Sequence, residues 1–162
     1  MKLQIREAKM SDLDSIVEIE KRCFPEAEAA SKESLQERVS IFTKSFYVAI
    51  ADDKLIGFIN GSVTNEQKIH DDMFHHADLH IPEGSYQSVF GLDVLPEYRC
   101  QGVAAQLMMH MIDCAKQHSR KGVILTCKEH LIDYYSKFGF ENLGVSESVH
   151  GGACWYDMML SF

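Results

Sequence analysis

The sequence predicts a mixed α/β domain, and three observations carry that expectation. Runs with period-2 alternation interleave with runs at helical spacing along the chain. Phe46-Tyr47-Val48-Ala49-Ile50-Ala51, the turn Asp52-Asp53-Lys54 and the return run Leu55 to Val63 read as a hairpin, while other strands are separated by helix-length segments. The apolar run ending Leu92-Asp93-Val94-Leu95 breaks at Pro96 into a polar, glycine-containing turn from which a helix opens. With 162 residues, 46% hydrophobic and 25% charged, a single domain over 1–162 can bury a sizeable core.

Taken in order, Leu3 and Ile5 alternate with polar neighbours as a first strand. Ser11-Asp12-Leu13-Asp14 resembles a capping box, and Leu13, Ile16, Val17, Ile19 and Phe24 follow helical spacing up to Pro25. Ser31 is placed to cap a second helix carrying Leu35, Val39 and Phe42; the connector between the helices holds Glu26 and Glu28. Residues 65–85 are polar and read as an irregular loop, functional or mobile at that length. Ser88 to Leu95 is a central strand, and Gly102 to about His118 an amphipathic helix on Leu107, Met108, Met111, Ile112 and Ala115. Val123 to Cys127 is a buried strand, and Leu131 to about Phe138 a short helix ending at Gly139. Phe140 to Leu143 and Ala153 to Leu160 are the last two strands, giving the order β-α-α-β-β-β-α-β-α-β-β.

The net charge of −8, with no basic stripe, argues against a nucleic-acid partner and mildly favours a cationic ligand such as an amine. No apolar run approaches the roughly 20 residues of a membrane span, and the alternating N-terminus does not look like a secretory leader. Five cysteines, Cys23, Cys100, Cys114, Cys127 and Cys154, are widely spaced without a C-x-x-C pair, as expected of reduced thiols in the cytoplasm.

The segment from Leu92 to Ala105 carries the chemistry. A strand feeding a glycine turn at a helix N-terminus gathers backbone N–H groups at one place, and such a turn binds anions, most often phosphate. Arg99 adds charge, Gly102 permits close approach, and Cys100, Gln101, Val103, Ala104 and Ala105 complete the turn and first helical residues. The same pattern also serves an ordinary helix start with a surface arginine.

With Arg99-Cys100-Gln101-Gly102-Val103-Ala104 at its centre and Tyr135-Ser136-Lys137-Phe138-Gly139-Phe140 downstream, the chain resembles the GNAT superfamily of N-acetyltransferases over nearly its whole length. The acetyl-CoA signature of that superfamily is Gln/Arg-x-x-Gly-x-Gly/Ala. Within it the likeness is to arylalkylamine and related small-amine acetyltransferases, through Phe24-Pro25-x-x-Glu28-Ala29-Ala30-Ser31 and Leu125-Thr126-Cys127-Lys128-Glu129-His130-Leu131. The His-x-His pair of the serotonin-acetylating members is absent, Ser88 and Phe90 standing at the matching positions, where they would line the acceptor site.

The resemblance implies a central twisted, mixed and mostly antiparallel sheet of about seven strands flanked by about four helices. It implies acetyl-CoA as co-substrate, its pyrophosphate on Arg99–Ala105 and its pantetheine arm paired along the backbone of Leu92, Asp93 and Val94. A backbone N–H near Leu92 would polarise the thioester carbonyl. Tyr135 would protonate the leaving thiolate; as neighbours on a short helix, Tyr134 and Tyr135 should divide between core and cleft. An alkylamine of pKa about 10 must lose a proton before it attacks. Glu28 is the candidate acceptor of that proton, and Glu26 and Glu28 together are candidates for recognising the ammonium.

Asp71 and His75, and Asp72 and His76, have i,i+4 spacing, but a solvated loop covering the amine pocket with Met73 and Phe74 is preferred to a metal site. Cys127 reads as a buried, inert thiol rather than a covalent carrier. The expected activity is direct transfer of acetyl from acetyl-CoA to a small arylalkylamine or polyamine, in a chain that allows a homodimer. Acetylation of a protein N-terminus or lysine, or a non-catalytic acetyl-CoA sensor, are the alternatives.

Overall fold

The computed structural model describes residues 1–162 as nine strands and five α-helices. These are β1 (Leu3–Glu7), α1 (Leu13–Cys23), α2 (Lys32–Ile41), β2 (Phe46–Ala51), β3 (Lys54–Asn60), β4 (Val63–Thr64), α3 (Asp71–His75), β5 (Tyr86–Val89) and β6 (Gly91–Val94). There follow α4 (Val103–Gln117), β7 (Gly122–Cys127), α5 (Ile132–Ser136), β8 (Glu141–Val145) and β9 (Tyr156–Ser161). The expected mixed α/β architecture stands, with more pieces than the sequence pattern shows.

One sheet runs β1-β2-β3-β6, antiparallel throughout; the other runs β4-β5-β7-β9-β8, with β5 and β7 parallel. The β2–β3 hairpin closes with Asp52 and Asp53 at φ of 50° and 65°, the left-handed pair that matches the twist of a two-residue hairpin turn. Inside, Phe46 stacks on Phe58 with ring centroids 5.5 Å apart, and Ile16, Leu35, Leu107 and Met111 close around them in one main core. Burying a side chain such as Phe58 contributes about 2–3 kcal/mol of hydrophobic stabilisation. A smaller cluster of Ile69, Met73, Tyr86 and Ile124 lies on the second sheet.

Several boundaries differ from expectation for identifiable reasons. The single strand expected from Ser88 to Leu95 is broken at Phe90. Asn60 accepts the Phe90 N–H at 2.7 Å yet is the ladder partner of Gly91, so two residues oppose one. That is a β-bulge, and it sends β5 into one sheet and β6 into the other. The return strand of the hairpin likewise stops at Asn60, where Gly61 passes so close to Ser88 that an added β-carbon would lie 1.9 Å from its carbonyl oxygen.

The supposed loop at 65–85 contains α3 and a 3₁₀ turn at Ala77–Leu79, held by Met73 in the smaller core. Ser11 does not cap α1; a 3₁₀ turn at Met10–Asp12 precedes it, and Asp12 accepts the Lys9 N–H and pairs with Arg6 at 2.8 Å. Ser31 caps α2 as expected, accepting the Ser34 N–H. No helix is long and apolar enough to cross a membrane.

Candidate active site

The parting of the sheets makes the site. Pairing of β5 with β7 ends at Val89 and Leu125, and β6 turns away to pair with β3 alone. A cavity of about 870 Å³ opens between β6 and the end of β7, roofed by α1, α2 and the ends of α3, α4 and α5. In the β3–β6 ladder the backbones of Gly91 and Asp93 face β3, so the polar groups of Leu92 and Val94 face the cleft. The Val94 carbonyl already accepts from Arg99 Nε at 3.2 Å and from Cys23 Sγ at 3.3 Å. Leu92 is the freer rung.

Beyond β6 the chain rises through a 3₁₀ turn at Pro96–Tyr98 and enters α4. Cys100 and Gly102 both take positive φ, 61° and 81°, and an added β-carbon on Gly102 would meet nothing within 4 Å. That left-handed residue turns the first N–H groups of α4 outward over open space, with no acidic side chain in the first turn. Arg99, Cys100, Gly102, Val103, Ala104 and Ala105 all line the cavity. Gln101 does not; its amide donates to the Glu97 carbonyl at 3.3 Å.

Asp93, expected beside Leu92 and Val94 on the cofactor rail, is corrected by strand alternation. Its side chain is fully buried on the opposite face, next to Glu20 of α1. Burial first, then the neighbouring Glu20 carboxylate, push the Asp93 carboxyl well above the usual carboxylate range, against the opposing pull of Arg38. Arg38 is itself buried, donating to Asn60 Oδ1 at 3.1 Å and to the Phe74 carbonyl at 2.9 Å. Burial lowers its guanidinium to about 10.

The other predicted site residues divide. Phe90 lines the cavity, its ring beneath the Arg38 guanidinium at 5.0 Å and 5.1 Å from Phe74. Ser88 does not; its hydroxyl donates to the Ser62 carbonyl at 2.7 Å inside the sheet. Glu26 is exposed and outside the cavity. Glu28 lines the cavity, but its Oε2 accepts from Lys128 Nζ at 2.9 Å, so the carboxylate expected to be free for the amine proton already holds a cation. Phe74 and His75 reach the cavity whereas Met73 is core.

Tyr134 and Tyr135 do not divide between core and cleft. Both line the cavity, with ring centroids 5.2 Å apart edge to face. Burial, then Cys127 and Tyr134, hold the Tyr135 hydroxyl above its ordinary value, so it stays protonated through neutral pH. Cys127 shares the cavity, and burial pushes its thiol up to about 11.

Three segments distant in sequence meet over the end of the cavity where Glu28 lies. Asp71 of α3 accepts from the Ser148 hydroxyl and from the Val149 N–H at 3.1 Å. His150 Nε2 lies 2.9 Å from the Glu28 carbonyl, and Trp155 donates to the His150 carbonyl at 2.9 Å. Phe24, Phe74, Phe90, His150 and Trp155 thus give this end an aromatic wall. Asp71 and His80 serve as internal hydrogen-bond acceptors, the latter for the Val63 N–H, and no three metal-ligating side chains gather.

Sequence reasoning missed Glu20, Arg38, Asn60, Lys128 and Trp155. A signal existed for two of them: Glu20 continues the apolar stripe of Ile16 and Ile19, and Arg38 sits between Leu35 and Val39 on the buried face of α2. A charge on an apolar stripe demands a partner, and each finds neutral ones, Ala30 N–H for Glu20 and Asn60 and the Phe74 carbonyl for Arg38, within reach of the other's charge.

Residues 13–140 match the model of the Acetyltransferase (GNAT) family. The chain belongs to the GNAT family. GNAT enzymes are acetyl-CoA-dependent acyltransferases, and the open helix start, the free strand edge and the cavity between them suit that co-substrate. Serotonin N-acetyltransferase of Mesocricetus auratus is 23% identical over 154 residues, 93% of this chain and 73% of that protein. The probable hydrolase YhcX of Bacillus subtilis (strain 168) is 25% identical over 134 residues, 76% of this chain; the match takes in only 26% of that longer relative.

Among solved structures, the loading GNATL domain of CurA from Lyngbya majuscula superposes with a TM-score of 0.86 at 14% identity, covering 99% of this chain and 98% of that one. The PaiA N-acetyltransferase of Thermoplasma acidophilum in complex with coenzyme A superposes with a TM-score of 0.75 at 19% identity, covering 100% of both chains. These likenesses establish the GNAT fold.

Proposed function

We propose that this GNAT enzyme acetylates the primary amine of a small arylalkylamine by direct transfer within a ternary complex. The observation that carries the reading is the acceptor end itself: an aromatic wall with Glu28 set in it, closed over by three segments bonded to one another. A ring can pack against Phe74, Phe90 and Trp155 while the amine lies toward the thioester. A peptide or protein N-terminus would need those segments parted, and a polyamine would leave the wall unused.

The donor is held by its pyrophosphate at residues 99–105 and by its pantetheine arm along Leu92 and Val94. The Leu92 N–H faces the thioester oxygen as charge develops there. Neutral amine nitrogen attacks the carbonyl carbon, the C–S bond breaks, Tyr135 gives its proton to sulfur, and the N–H proton shed by the newly bonded nitrogen restores Tyr135. A buried phenol is a weak acid, but a thiolate released into this cavity meets the same desolvation that raises Cys127, so its demand for a proton rises too. Glu28, paired with Lys128, positions the acceptor rather than taking its proton.

Release of free CoA thiol, measured against a panel of arylalkylamines, polyamines, simple alkylamines and a short peptide, tests the reading. Arylalkylamines should raise thiol release most. Acetyl-CoA binding with no amine-dependent release would replace the enzyme with a sensor, and release only with the peptide would replace the acceptor.

A further inference from the structure

Three buried polar atoms without hydrogen-bond partners converge on Gly91. They are Asp93 Oδ1, Asn60 Nδ2 and Glu20 Oε1. A β-carbon added to Gly91 would stand 3.0, 3.4 and 3.9 Å from them respectively. The three belong to β6, β3 and α1, so the cluster is assembled by the fold and not by one segment. Gly91 and Glu20 both line the cavity, with Asp93 buried behind them outside its lining.

The surroundings define the charge. The other Glu20 oxygen accepts the Ala30 N–H at 2.8 Å, a neutral donor. Arg38 of α2 supplies one positive charge against the two carboxyl groups, and Cys23 and Tyr135 are the remaining ionisable neighbours that face them. Burial and the adjacent Glu20 carboxylate raise the Asp93 carboxyl, against the pull of the single Arg38 guanidinium. Glu28 differs in having its own ammonium partner, and His75 and His130 lie exposed at the rim.

We propose that Glu20 is the group that takes the proton from the acceptor ammonium, with Asp93 and Asn60 as positioning residues and Gly91 as the opening through which it acts. The inference rests on the acetyl-transfer reading above. The ammonium N–H bond breaks and its proton passes to the Glu20 carboxylate. The freed nitrogen pair forms the C–N bond as the C–S bond breaks, sulfur takes the Tyr135 proton, and the second N–H proton, shed as the amide forms, replaces the one Tyr135 gave up. Glu20 then returns its proton to solvent, so each turnover releases one proton for each ammonium consumed.

The test is the pH dependence of kcat/KM for the best arylalkylamine, with acetyl-CoA affinity measured alongside as a check on folding. Glu20→Gln should lower kcat/KM about 100-fold at neutral pH and recover as pH approaches the amine's own pKa of about 10, with acetyl-CoA Kd within about twofold. Glu20→Asp, keeping the carboxylate, should restore part of the rate. Asp93→Asn should displace the acidic limb of the profile, and Gly91→Ala should slow amine turnover while sparing acetyl-CoA binding. Unchanged turnover and profile in Glu20→Gln, or equal loss in the Gln and Asp variants with acetyl-CoA binding intact, would overturn the proposal and leave acetyl transfer standing. A wild-type protein that acetylates no amine would overturn both.

Discussion

The two ends of the cavity are built on different principles. At the end proposed for the donor the groups on offer are backbone: the N–H groups opening α4 and the free edge of β6, drawn from one stretch of about a dozen residues. At the acceptor end they are side chains, brought by α1, α2, α3, β6 and the β8–β9 connection from across the whole chain. A site made of backbone tolerates side-chain change and fixes the co-substrate. On the proposed reading a site made of assembled side chains is where the acceptor is chosen, and it depends on the whole fold.

That difference can be broken from either side. The largest effect is expected where the ends meet: Tyr135→Phe should cut kcat by about 100-fold or more while acetyl-CoA Kd, read by calorimetry, stays within about twofold. Unaltered kcat would take Tyr135 out of the reaction. Arg38→Met leaves the Glu20 and Asp93 carboxyls without their cation and should cost about 3 kcal/mol of stability, read as a urea midpoint. Its acceptor KM should suffer more than its acetyl-CoA Kd. Gly102→Ala places a β-carbon at a φ of 81°, a backbone cost of about 1–2 kcal/mol, and should weaken acetyl-CoA about tenfold without changing which amine is preferred.

A subtler contrast is in pH. The raised folded-state value of Asp93 means its stabilising contribution is fully present below the ordinary carboxylate range and is lost as pH rises through the raised value. Wild-type stability minus that of Asp93→Asn should therefore decline with rising pH across urea titrations; a flat difference would show that Asp93 holds no extra proton. Smallest of all, Glu26→Gln should leave every kinetic constant within about twofold. Ser88→Ala should cost only about 1 kcal/mol of stability through its lost bond to Ser62, with turnover kept.

The same contrast explains what could be read in advance. The donor end was legible because strand, Pro96, Gly102 and helix are local, and their backbone consequences follow from residue type alone. The mixed α/β order was legible for the same reason. The bulge at Phe90 was not, since it depends on Asn60 facing two residues of a strand some thirty positions away. Nor was the pairing of Glu28 with Lys128, or the turning of Asp93 inward, because a period-2 pattern says that neighbours point apart without saying which face holds the cavity. The charges on the apolar stripes of α1 and α2 were visible as anomalies, and only the fold shows which neutral groups bond them.

The ties over the acceptor end also bear on the timing of turnover. Asp71 holds the β8–β9 connection at Ser148 and Val149, and that connection in turn rests on Glu28 and Ala27 through His150 and Gly151. If the reaction is the one proposed above, the helix start over which coenzyme A would lie is open while the acceptor would pass beneath these two ties, so product release should slow most on the acceptor side; a solvent-viscosity dependence of kcat that Asp71→Asn abolishes is the expected sign.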